Sequence, residues 1–171
     1  MKTTCCGIVL CLLMALPATA QQAGFQDPLL DRLVGNWVMR GTIAGDEITH
    51  DVVAEWVLGH NYLRFHDVAR EKDEHGDPAY DATVFIDWDA ASSRYACLWL
   101  DSTGGGGIAS GVLGYATRRG DELPFVFELP DGTGIHNTFV YNRDADTWEW
   151  RIDNEQGGEL SPFARVTLTR R

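Results

Sequence analysis

Cysteine is nearly absent from the body of this 171-residue chain: Cys5, Cys6 and Cys11 crowd near the start, and Cys97 stands alone thereafter. A lone cysteine excludes an internal disulfide. Its setting, an apolar run with Tyr95 and Trp99, suits an inert buried thiol rather than a nucleophile. Basic residues are also scarce, with 14 Lys+Arg against 25 Asp+Glu and a formal net charge of −11. That balance excludes the clustered Lys and Arg that phosphate backbones and anionic membrane surfaces require. No stretch after the leading segment has the roughly 20 apolar residues of a membrane-spanning helix. The histidines, at 50, 60, 66, 75 and 136, form no H-x-H or H-x-x-x-H pair, so no single strand offers two zinc ligands. There is no G-x-S-x-G nucleophile elbow. Gly104–Gly107 lacks the Lys-Ser/Thr and the following helix of a phosphate-binding loop, and reads as a flexible loop.

The leading segment has the parts of a signal peptide. Lys2 supplies a positive charge, Cys6–Leu16 a short apolar run, and Ala18-Thr19-Ala20 an A-x-A cleavage site. Cleavage near Ala20 leaves 21–171 as one domain, secreted or periplasmic. A domain of that length buries a core without a disulfide or a structural metal.

Apolar and polar residues then alternate at period two through most of the sequence. The pattern predicts strands near 36–44, 50–58, 61–70, 79–88, 93–101, 106–115, 123–129, 134–142, 147–153 and 162–170. Between them stand turn signals such as Ala44-Gly45-Asp46, Arg119-Gly120-Asp121 and Pro130-Asp131-Gly132, rich in residues that tolerate positive φ or bond their own backbone. Ten or so short strands with hairpin-length loops predict an all-β fold, an antiparallel up-and-down barrel. A short amphipathic helix over Pro28–Leu33 precedes it.

The order of short motifs resembles an exported bacterial lipocalin-like family, catalogued as domain of unknown function 1579. The matching residues are L-x-G-x-W at Leu33–Trp37, Glu55 with L-G-x-x-Y-L at Leu58–Leu63, and F-I-D-W-D at Phe85–Asp89. Tyr95, W-L-D-S at Trp99–Ser102 and the closing R-V-T-L-T-R-R at Arg165–Arg171 follow. The resemblance covers nearly all of 21–171. It implies a calycin-type barrel with an interior cavity, Trp37 plugging the closed end, and no transferable catalytic residue. A more distant similarity, again through the G-x-W opening, is to nitrobindin-like haem barrels. That similarity implies an axial His near the C-terminal strands. Thr147–Arg171 contains none, His136 is the nearest, and no cofactor is expected.

Candidate site residues come from strand faces. Along 61–70, Tyr62, Arg64 and His66 share one face, while Leu63, Phe65 and Asp67 share the other. With the polar face inward, Arg64 and His66 would anchor an anionic head group; with Leu63 and Phe65 in the core, they are solvated. Along 94–101, Tyr95, Cys97, Trp99 and Asp101 point one way. Asp101 either meets a ligand at the barrel mouth or caps the turn that follows. Trp37, Trp56, Trp88, Trp99, Trp148 and Trp150 either line a cavity or fill it. The acidic turns near 73–77 and 153–159 fit no EF-hand pattern and read as solvated hairpins. The candidate ligand-binding set is therefore Trp37, Arg64, His66, Trp99, Asp101 and His136.

Three functions fit these readings. The first is an exported barrel binding a small, mostly hydrophobic molecule. The second is a barrel enzyme of isomerase or hydrolase type in which Arg64, His66 and Asp101 converge in one pocket. The third is an envelope interaction module with an exposed apolar patch and no pocket.

Overall fold

A computed structural model describes residues 25–104 and 107–171; the expected signal peptide at 1–20 and Gly105–Gly106 of the glycine run lie outside the described residues. A helical turn, α1 (Leu30–Leu33), leads into β1 (Gly35–Ile43), β2 (Asp46–Val57), β3 (Tyr62–Ala69), β4 (Asp81–Asp89) and β5 (Arg94–Asp101). A second turn, α2 (Gly107–Ser110), comes before β6 (Gly114–Ala116), β7 (Glu122–Glu128), β8 (Gly134–Asn142), β9 (Thr147–Gln156) and β10 (Glu159–Arg170). Every strand pairs antiparallel with its neighbours in sequence, and β1 pairs β10, so the sheet is a closed ten-strand, up-and-down barrel. Closure removes both sheet edges. No helix among the described residues is long and apolar enough to cross a membrane.

The region 106–115, expected as a strand, is the one expected strand that the structure largely replaces. Alternation of Ile108, Ser110 and Val112 imitates a strand, but glycines at 107, 111 and 114 break the segment. Gly111 adopts φ 67° and ends the helical turn through its N–H to the Ile108 carbonyl. Only Gly114–Ala116 is left to pair with β5 and β7.

One end of the barrel is shut by α1, and the G-x-W segment explains how. A helix end leaves carbonyls without intrahelical partners. Here the Trp37 indole donates to the Leu33 carbonyl (2.7 Å), and Arg170 donates to the carbonyls of Val34 (2.7 Å) and Arg32 (2.9 Å). The Arg170 guanidinium also lies 3.8 Å over the Trp37 ring. Gly35 has φ 138°, and a side chain there would collide with the Arg170 guanidinium. Asp27 secures the lead-in. It accepts the N–H groups of Leu29 (2.6 Å) and Leu30 (3.1 Å), the Tyr95 hydroxyl, and Arg118 (3.3 Å). Burial, with the Asp27 carboxylate beside it, pushes the Tyr95 phenol up to about 12.

Above this plug the interior is solid. Trp37, Met39, Leu63, Ile86, Leu123 and Trp148 are fully buried. A layer of rings crosses the middle, where Phe139 stacks on Trp150 at 5.3 Å and Phe65 meets both edge-on. Cys97 is buried as expected, and burial pushes its thiol far above the usual range.

Candidate ligand-binding site

Beyond the ring layer the barrel is not filled. A cavity of about 450 Å³ opens at the end opposite α1, among the loops that join β3 to β4, β5 to β6, β7 to β8 and β9 to β10. Its apolar wall is Val112, Phe127, Leu129, Ile135, Ile152 and Phe163. Phe163 reaches the cavity because β10 shifts register between Pro162 and Ala164. A bulge re-aims one side chain that strict alternation would send outward. Proline tolerates that place because it has no N–H to give the ladder.

The polar part of the wall is concentrated at Tyr80, Trp99 and Asp101. Asp101 Oδ1 accepts the Thr103 N–H (2.9 Å) and the Thr103 hydroxyl (2.5 Å). Its Oδ2 faces longer contacts, 3.2 Å from the Trp99 indole N–H and 3.5 Å from the Tyr80 hydroxyl. The same indole lies 3.2 Å from the Tyr80 oxygen. Burial pushes the Tyr80 phenol well above its ordinary value, so it remains neutral at physiological pH. Across the cavity, Asn137 accepts the Trp150 indole N–H, and Trp99 leans on Trp150 at 5.3 Å. The cavity wall is thereby tied to the ring layer beneath it.

Behind Tyr80 lies a pair of polar residues inside the barrel. His50 on β2 and Asp67 on β3 are 3 % and 0 % exposed, with Nδ1 2.8 Å from Oδ1. The Tyr80 ring is stacked over the imidazole at 5.9 Å. Asp67 Oδ2 has no hydrogen-bond partner. Burial holds this carboxyl above the usual carboxylate range, opposed by the bond from His50.

Of the six expected ligand-binding residues, Trp99 and Asp101 line the cavity. Trp37 does not, because its indole N–H is committed to the Leu33 carbonyl at the closed end. Arg64 and His66 are on the outer face of β3, since Leu63, Phe65 and Asp67 take the inward positions. There Arg64 pairs with Glu55, and His66 Nε2 lies 2.9 Å from Asp81. His136 is likewise outside, 2.6 Å from Glu155, while its neighbours Ile135 and Asn137 face the cavity. Arg64, His66 and Asp101 therefore do not converge, and the enzyme reading built on them loses its site.

The residues present also do not fit a haem. His136 points away from the cavity, and His50 is held by Asp67 beneath the Tyr80 ring. Among the described residues no group of three His, Cys, Asp or Glu side chains converges to hold a metal ion. His50, Asp67, Tyr80 and Asn137 are the polar residues that strand-by-strand reasoning missed. A signal for two of them existed. Asp67 shares the face of Leu63 and Phe65, and His50 is in phase with Val52, Ala54 and Trp56 on the neighbouring strand. Compared with known proteins, the sequence matches neither a family model nor a curated protein.

Proposed function

We propose that this protein is an exported lipocalin-like barrel that binds a small, mostly hydrophobic molecule in its open half. The observation that carries the reading is the asymmetry of the interior. One half is closed by α1 and packed with aromatic rings, and the other keeps about 450 Å³ open behind apolar walls. That volume falls in the range of roughly 300–1,000 Å³ typical of small-molecule sites. The motif order, which resembles that of the exported lipocalin-like family, supports the same reading, and the leading segment supports export.

Fluorescence titration with N-phenyl-1-naphthylamine tests the binding. Saturable enhancement is expected, and Ile135→Trp, which narrows the cavity with a bulkier wall side chain, weakens it. An affinity unchanged in that variant places the dye elsewhere and overturns the reading. Export is tested by fractionating the host and sequencing the N-terminus. A chain retained in the cytoplasm and beginning at Met1 overturns that part.

A further inference from the structure

Resting on that reading of the cavity, we propose a ligand class: an organic cation. Its apolar body fills the cavity and its ammonium or amidinium group sits at Asp101.

Three observations converge on this. First, Asp101 is the one formally charged side chain among the described residues that line the cavity; no Lys, Arg or His reaches it. Several carboxylates on the outer wall are matched by arginines, Asp51 by Arg70, Asp121 by Arg143 and Asp153 by Arg165. Asp101 instead has neutral donors from Thr103, Trp99 and Tyr80, which orient the carboxylate and leave its charge uncompensated. Second, those donors are unequal. Oδ1 is held at 2.5 and 2.9 Å, whereas Oδ2 has only contacts of 3.2 and 3.5 Å. A good bond from nitrogen to oxygen is about 2.9 Å. Oδ2 therefore keeps acceptor capacity that a ligand N–H can take. Third, the aromatic residues Tyr80 and Trp99 flank Oδ2, Phe127 and Phe163 add rings to the cavity wall, and aromatic faces attract cations.

The same features act against anions. A fatty acid or other carboxylate entering the cavity meets Asp101 with no cation to receive it, and burial magnifies that cost. The net charge of −11 extends the preference outward, since an acidic protein raises the local concentration of cations at its surface.

Isothermal titration calorimetry of the full chain with three matched probes tests the proposal: 2-(1-naphthyl)ethylamine, 2-(1-naphthyl)ethanol and 3-(1-naphthyl)propionate. At neutral pH the amine is expected to bind about tenfold tighter than the alcohol, the order of one charged hydrogen bond. The propionate is expected to bind weakest. In Asp101→Asn the amine is expected to lose its advantage over the alcohol, and an amine that still binds about tenfold tighter than the alcohol in that variant overturns the assignment to Asp101. Equal binding of amine and alcohol, or a preference for the propionate, overturns cation selectivity and leaves the cavity as a binding site. Failure of all three to bind overturns both. The wild-type ranking does not depend on how well the variant folds.

Discussion

His50 Nδ1 lies 2.8 Å from Asp67 Oδ1 across the β2–β3 pairing, and among the described residues it is the one hydrogen-bond partner of a carboxyl group that solvent does not reach. The two ends of this contact are unequal. His50→Ala leaves the Asp67 carboxyl with neither oxygen bonded, two buried oxygens stranded at roughly 1–3 kcal/mol each. Asp67→Ala strands one ring nitrogen, for roughly 1–3 kcal/mol. Urea denaturation of both variants is expected to rank His50→Ala as the less stable. The opposite ranking would show that the carboxylate is not the costly partner.

The Asp67 carboxyl is raised by burial, which sets the sign of a pH effect. A carboxyl with a higher pKa in the folded state favours folding when protonated. Its contribution is full below the ordinary carboxylate value and is lost as pH rises through the raised value. Asp67→Asn removes that dependence. Between about pH 7 and about pH 4, the difference in unfolding free energy is expected to shift toward the wild type as pH falls. A constant or reversed difference contradicts the raised value.

Gly41 on β1 lies close against β10, where it pairs with Val166. Its φ is 146°, and a Cβ there would strike the Arg165 carbonyl oxygen and stand 2.8 Å from Val166 Cα. Both are backbone, so neither can swing away. Gly41→Ala is expected to cost upwards of roughly 2 kcal/mol. Gly45 also has positive φ, 92°, but open space around it. Gly45→Ala then costs only backbone strain, about 1 kcal/mol. Thermal midpoints of the two variants compare them directly.

Asp27 joins the plug to the wall. Asp27→Ala removes the acceptor for the Leu29 and Leu30 N–H groups and the partner of Tyr95 and Arg118. A loss of roughly 2 kcal/mol is expected, the upper end for a helix-start acceptor. Asp27→Asn retains most of it. If the alanine variant melts with the wild type, Asp27 does not hold α1 in place.

Arg64 and His66 supply a contrast. Their ion pairs are half-exposed on the outer wall, and such pairs contribute about 0–1 kcal/mol. Arg64→Ala and His66→Ala are expected to leave both stability and probe affinity nearly unchanged. A large loss of affinity in either would place these side chains in the cavity after all.

The architecture was legible because a closed antiparallel sheet announces itself in local terms. Period-two alternation and turn residues are short-range signals, and expected and observed strands coincide closely from Gly35 to Asp101. The site was less legible. Alternation assigns residues to two faces without saying which is inward, so Arg64 and His66 stayed ambiguous until Leu63 and Phe65 were seen to take the core. Asp101 could be read from its place at a strand end. His50 and Asp67 are 17 residues apart, and their pairing depends on register across the hairpin. Phe163 depends on a bulge, which simple alternation does not anticipate. The Gly107–Ser110 turn shows the converse failure, in which apparent alternation is outweighed by glycine.

The seam between β1 and β10 carries a consequence for the order of folding. Trp37 faces Arg170 across that seam, so the contact that locks the first strand of the barrel comes from its tenth. Until β10 is available, β1 and β9 each present a bare row of backbone donors and acceptors, the template for pairing with another chain. Contacts so distant in sequence also form slowly. The emerging barrel is thus most vulnerable to self-association until β10 is in place, and chaperone protection would matter most in that interval.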